Sequence, residues 1–284
     1  APLHPNSSHL DSDKDEDQDR QVTQPVWLPT PIPLFERQSA VIVSLACGYM
    51  HSLACTEEGI LYSWGLNDEG QCGLGDYVTR FEPCQVNLPR GNRNPSTSTS
   101  NSHDHGNNHD EKANLLVSSV TCGPFTSAAL ARDGALWTWG RCKDHALGRE
   151  PTDSDERGDC VPGLCIAQGV RLVSLGLNHG LMVDEKSQVW SWGSNAWGQC
   201  GRVGTRGTIP RPTLLEAFAG QSIRQISAGY NFSLVMDAAA VVYSFGYSRD
   251  GRLGHGAGQG ADLLQGPKAI VALKQKEVRL IVCG

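Results

Sequence analysis

The chain has 284 residues, 32 of them Gly and 15 Pro, with 19 % charged residues and a net charge of −6 at pH 7. That length can bury a sizeable core in one or two domains, and a glycine-rich, charge-poor composition suits a β chain with many tight turns. The acidic balance excludes general binding to nucleic acid or to an anionic membrane, and no apolar run is long enough to cross a bilayer or to form a signal-peptide core.

Residues 1–24 carry Asp11, Asp13, Asp15, Glu16, Asp17 and Asp19 in one short run, which predicts a disordered, solvated acidic leader. Ala at position 1 points to a processed or partial chain. The texture changes at about residue 25, where one continuous domain, 25–284, is expected to begin. Its opening Thr30-Pro31-Ile32-Pro33 repeats a pattern seen again at Pro212 and Pro267, each 17 residues before an anchor glycine. Proline cannot donate to a sheet ladder, so this segment reads as the outermost strand of a unit. Glu82-Pro83 and Pro162 fill the same slot in the first and second units.

Each unit then reads as strands separated by turns. In the first, 41–46 (VIVSLA) is a nearly continuous apolar run, as expected of a strand buried on both faces. It is followed by 51–56 (HSLACT), a turn at Glu58-Gly59, and 60–64 (ILYSW). Equivalent triplets lie at 117–122, 127–131 and 135–139, at 170–175, 180–183 and 189–192, and at 223–228, 233–236 and 241–245. With the proline-bearing edge, each unit has four short antiparallel strands.

Three fixed points recur in every unit. An aromatic–glycine pair (Trp64-Gly65, Trp139-Gly140, Trp192-Gly193, Phe245-Gly246) lies eight residues, Gly to Gly, before a second glycine (Gly73, Gly148, Gly201, Gly254). Sixteen residues ahead of each aromatic stands an anchor glycine: Gly48, Gly123, Gly176 and Gly229. The aromatic offers a large apolar face to the neighbouring unit, and the glycine after it turns the chain where a Cβ would clash. The N-x-x-G that follows, Asn67 with Gly70 and Asn195 with Gly198, fits a turn held by the Asn side chain. The second unit has Lys143 and His145 there, which predicts a less regular loop. A four-stranded sheet cannot bury both faces alone, but stacked copies can. The expected fold class is therefore all-β, a β-propeller with repeats near 41–89, 115–165, 170–215 and 223–270 and a fifth beginning about 278. The period is 53 residues except between the first two aromatics, where it is 75, and the excess matches 90–113, a low-complexity insertion expected to be a flexible loop.

Chemistry-bearing patterns are weak. His51 and His179 share a slot that holds Thr126 and Phe232 elsewhere, which points to structural histidines bonded to backbone. The glycine-rich 70–75 is followed by Asp76-Tyr77 and not by a helix with a Lys, so it is no phosphate loop. His103, His105 and His109 lie in the low-complexity insertion, without the rigid frame a metal site needs. Cys47, Cys122 and Cys283 occupy one slot, and Cys72 and Cys200 another where the fourth unit has Leu253. Cysteines that interchange with aliphatic residues behave as small buried apolar groups, and a reducing compartment, cytoplasmic or nuclear, is expected. No catalytic residue, cofactor or metal site is read from the chain.

The signature W-G-x-N-x-x-G-Q-x-G, the C-G-x-x-H-S start and a period near fifty closely resemble the regulator of chromosome condensation repeat. The resemblance covers 26–284 and implies a β-propeller; the family's rings have seven blades, so four repeats and the start of a fifth imply a partial ring. Family members include an exchange factor for a Ran-type GTPase that docks on nucleosomes, and recognition modules attached to ubiquitin ligases and kinases. Light sensing in the plant ultraviolet-B receptor rests on a Trp after the anchor glycine; here that residue is Tyr49, Pro124, Leu177 or Tyr230. The expected role is a non-catalytic protein-interaction scaffold, with exchange on a Ran- or Rab-like GTPase as the alternative and a ligase or kinase recognition module as a second. Its partner is expected to be a protein, with neither membrane nor direct nucleic-acid binding. The partner surface is expected on the loops 65–75, 140–148, 193–206 and 246–260, at Asn67, Asp68, Arg141, Lys143, Asn195, Trp197, Arg202, Arg206, Arg249 and Asp250.

Overall fold

A computed structural model describes residues 29–89, 115–152, 158–204, 206–256 and 266–284. The acidic leader and the 90–113 insertion lie outside these. The described residues up to Ser39 form one unit and those from Ala40 onward another. In the first, the helix α1 spans Pro33–Arg37, with Pro at its start. This corrects the edge strand expected there: a lone proline-bearing segment has no ladder to join, whereas proline's fixed φ suits the first turn of a helix.

The second unit is all β. Four antiparallel sheets follow in chain order, each with its strands in sequence. They are β1 Ile42–Cys47, β2 His51–Thr56, β3 Leu61–Gly65 and β4 Arg80–Val86; then β5 Val117–Cys122, β6 Thr126–Ala131, β7 Leu136–Gly140 and β8 Asp159–Ile166. The third sheet has β9 Val170–Leu175, β10 His179–Asp184, β11 Val189–Ser194 and β12 Thr208–Leu214. The fourth has β13 Ile223–Ala228, β14 Phe232–Asp237, β15 Val242–Gly246 and the two-residue β16 Lys268–Ala269. Pro83, Pro162, Pro210 and Pro212 all stand in the outermost strands, which pair on one side only. Residues 278–284 make no ladder. They bridge to the fourth sheet through side chains, with Ile281 N–H donating to Gln225 Oε1 (3.1 Å) and Cys283 N–H to Ser227 Oγ (2.9 Å).

The core lies between sheets. Val117, Val120 and Trp139 of the second pack with Leu53, Cys55 and Leu61 of the first. Ile223, Ile226 and Phe245 of the fourth pack with Leu181 and Val183 of the third. Burial on this scale is the main source of stability, at about 25 cal/mol per Å² of apolar surface.

β1 departs from expectation. It alternates half-buried and exposed residues, and Val43 and Leu45 are 53 % and 67 % exposed. Leu45's counterparts Val120 and Ile226 are buried because a preceding sheet covers them, and no described sheet precedes β1. An apolar run sets which residues can be buried; a neighbour decides whether they are.

The anchor glycines are needed for close approach rather than for a special backbone angle. A Cβ on Gly48 would stand 2.7 Å from the carbonyl oxygen of Gly123, and one on Gly123 or Gly176 would overlap the next anchor's carbonyl in the same way. The glycines after the aromatics do need left-handed backbone, with φ of 105° at Gly65 and 91° at Gly193.

Candidate interaction surface

Two loops of each sheet lie together at one end. The turn after the first strand is tied to the loop after the third by a repeated bond, Leu66 N–H to Met50 O (2.7 Å), Arg141 to Phe125 (3.0 Å), Ser194 to Asn178 (2.7 Å) and Tyr247 to Asn231 (2.9 Å). Successive sheets are stitched at the same end: Tyr49 N–H donates to Pro124 O (3.0 Å) and Leu177 N–H to Gly229 O (3.3 Å), and Tyr230 N–H ties the closing segment through Gly284 O (3.3 Å). The four anchor glycines, Tyr49 and Tyr230 line a shared cavity of about 290 Å³.

The aromatic–glycine slots form the seams. The indole N–H of Trp139 donates to Gln71 O (2.9 Å) and that of Trp192 to Ala146 O (2.8 Å), each in the preceding sheet's loop. Gly73 and Gly148 make the room, since a Cβ on either would press on those indoles, and Gly201 does the same for Phe245. Trp64, with no described sheet before it, is partly exposed.

The histidines are structural, and each bonds a serine hydroxyl of the next sheet. His51 Nε2 bonds the hydroxyl of Ser127 in the next sheet (2.9 Å), and that hydroxyl donates to Gln71 O (2.7 Å). His179, Ser233 and Gln199 repeat this at 2.9 and 2.8 Å. Where the histidine slot holds Thr126 and the glutamine slot Ala146, the serine is replaced by Gly180, over which Trp192 packs. Burial pushes the His51 imidazole down to about 4, partly offset by a backbone bond at Thr126, and His179 down to about 3. Both are buried and held at Nε2 by a serine, so neither serves as an exposed acid or base.

The other titratable candidates are likewise engaged. All ten cysteines are free thiols. Burial pushes Cys72 up to about 11 and Cys200 up to about 12, which keeps them protonated and inert. Arg149 and Asp159 form a buried ion pair (2.7 Å), with Thr152 donating twice to the carboxylate and Arg149 donating to Thr138 O. Gly163 leaves the space that this guanidinium fills. Among the described residues no group of three His, Cys, Asp or Glu could hold a metal.

The expected partner residues divide sharply. Asn67 and Asn195 are fully buried, their side-chain oxygens accepting from Cys72 N–H (2.8 Å) and Cys200 N–H (2.9 Å). They hold their own turns, which removes both from the candidate surface. In the second sheet the Asn slot is Cys142 rather than Lys143, and residues Lys143–His145 form a one-turn helix with Asp144 and His145 in left-handed backbone. Arg141 lies 3.7 Å over the Phe125 ring and pairs with Glu69, and Arg202 donates to Leu214 O (2.8 Å). Asp68, Lys143, Trp197, Arg206, Arg249 and Asp250 are exposed. Sequence reasoning missed Tyr49, Met50 and Tyr230, all exposed beside the anchor glycines, and Tyr247 and Arg252, which join Trp197. Only the position after each anchor glycine hinted at the first and third.

Residues 58–106 and 186–236 match the regulator of chromosome condensation (RCC1) repeat, and 42–71 match a second form of it. The chain is 30 % identical over 82 % of its length to human E3 ubiquitin-protein ligase HERC2, of which it spans 4 %. It is 26 % identical over 80 % of its length to the ultraviolet-B receptor UVR8 of Arabidopsis thaliana, spanning 46 % of that protein. Among solved structures it resembles Prp20p from Saccharomyces cerevisiae, described with its binding properties to Gsp1p and histones, at TM-score 0.68 and 20 % identity, over 86 % of this chain and 54 % of that one. Human WBSCR16 gives TM-score 0.66 at 23 % identity, over 81 % and 54 %. The sheet order, the glycine-stitched seams and these matches lead to one statement: the chain is built of regulator of chromosome condensation repeats, folded as blades of a β-propeller.

Proposed function

We propose that the chain is a non-catalytic protein-interaction module that holds its partner on the loop end of the blades. The observation carrying this is the pairing of large exposed side chains, Tyr49, Met50, Trp197 and Tyr230, with a frame in which His51, His179, Asp159 and the buried thiols are committed to structure. Exposed aromatics on a rigid scaffold are what a protein interface uses as anchors. The similarity to HERC2 supports the same role inside a larger ligase, with the ligase chemistry supplied elsewhere.

Exchange on a small GTPase is the second reading, favoured by the fold shared with Prp20p and that protein's binding to Gsp1p. Two measurements made together separate them. Affinity capture with the whole chain recovers a partner that the Tyr49→Glu, Tyr230→Glu variant loses, while nucleotide release from a panel of small GTPases stays at its intrinsic rate. Accelerated release would replace the first reading by the second.

A further inference from the structure

The seams differ in the side chains they show to solvent. In the first, the facing loop slots hold Glu69 and Arg141, which neutralise each other. In the third seam the same two slots hold Trp197 and Tyr247, with ring centroids 4.6 Å apart and planes tilted by 60°. Trp197 remains 38 % exposed. The Arg252 guanidinium lies 4.9 Å from the Tyr247 ring centre and 6.0 Å from that of Phe232, and Arg249 lies 6.0 Å from Tyr247. The described loop residues of this seam carry Arg202, Arg206, Arg249 and Arg252 against the single acid Asp250. Those of the first seam carry more acids than bases.

An arginine laid on a ring keeps its N–H edge in water while its face is covered, so it meets a carboxylate at reduced desolvation cost and with little freedom to lose. Asp250 meets Arg252 at 3.0 Å but is largely exposed, and a solvated pair of that kind yields readily to a ligand carboxylate. We infer that the third seam is a docking platform for an acidic protein segment, its carboxylates on Arg249 and Arg252 and an apolar side chain of the segment on Trp197. This deepens the interaction-module reading and rests on it. A nucleic-acid strand fits less well, because the chain carries net charge −6 and the described loops of the first seam carry more acids than bases.

The probe is a fluorescein-labelled peptide of alternating Glu and Ser around one Leu, titrated against the whole chain by polarisation. Its Lys-for-Glu counterpart and a labelled single-stranded oligonucleotide serve as comparisons. The acidic peptide should bind, weaken with added salt, and lose about tenfold or more in affinity both in Arg249→Glu with Arg252→Glu and in Trp197→Ala. Lys274→Glu with Lys276→Glu, exposed on the connection beyond β16, should bind as the parent does. No binding by the acidic peptide, tighter binding by the oligonucleotide, or indifference to the Arg249 and Arg252 reversals overturns the assignment. Such a failure leaves the Tyr49 and Tyr230 capture experiment to stand or fall by itself.

Discussion

Acid should open two of the seams, through His51 and His179. Both are buried and neutral, with folded values of about 4 and about 3 against an ordinary 6.5. A group depressed in the folded state adds stability above the unfolded value, and that stability is lost as pH falls below 6.5 toward the folded values. At about pH 5 the unfolded chain binds a proton on each histidine and the native chain scarcely does, a cost of about 2 kcal/mol per histidine, or roughly 4 kcal/mol for the pair. That is a large share of the roughly 5–15 kcal/mol that a domain commands. The cognate slot in the fourth blade is Phe232, so His51→Phe with His179→Phe keeps a residue type this fold already places there. Urea unfolding of parent and double variant at about pH 7.5 and about pH 5 isolates the histidines from the carboxylates, which both proteins share. The parent should lose several kcal/mol more than the variant between the two conditions. Equal losses in both proteins would refute the buried, neutral seam histidine.

Gly176→Ala should destabilise by at least about 1–3 kcal/mol in thermal unfolding, because its Cβ overlaps the Gly229 carbonyl and the His179 ring, neither of which can retreat without parting the blades. Asp159→Asn leaves Arg149 buried without its countercharge and should cost about 3–5 kcal/mol by the same measurement. Trp139→Phe, the side chain the fourth blade uses, loses the bond to Gln71 O and part of the ring. It should cost about 1–3 kcal/mol while leaving the loop surface and partner capture intact.

Much of the fold is legible in the chain because its demands are local. A carbonyl passing at contact distance admits only glycine, a ladder edge admits proline, and an indole needs a small residue opposite it, so Gly48 and Gly73 recur at fixed spacing and Pro83 has counterparts in other outer strands. The strands β2, β5, β9 and β13 fall where periodicity and turn residues put them. The interaction surface is less legible. Asn67 and Asp68 are adjacent loop residues of similar chemistry, yet one is fully buried in its own turn and the other exposed. The hydrogen-bonding reach of an Asn side chain is visible in sequence; whether the loop closes over it is not.

The sequence alone determined the repeat, the strand order within each blade and the glycines, prolines and aromatics that make blades stack, since each follows from sterics within a few residues. The tertiary structure decided everything that depends on a neighbouring blade. It chose Ser127 as the partner of His51, 76 residues away, left Leu45 open where Val120 is covered, and brought Trp197 against Tyr247. Those outcomes depend on which sheet stands next to which, and no local pattern in the chain encodes that contact.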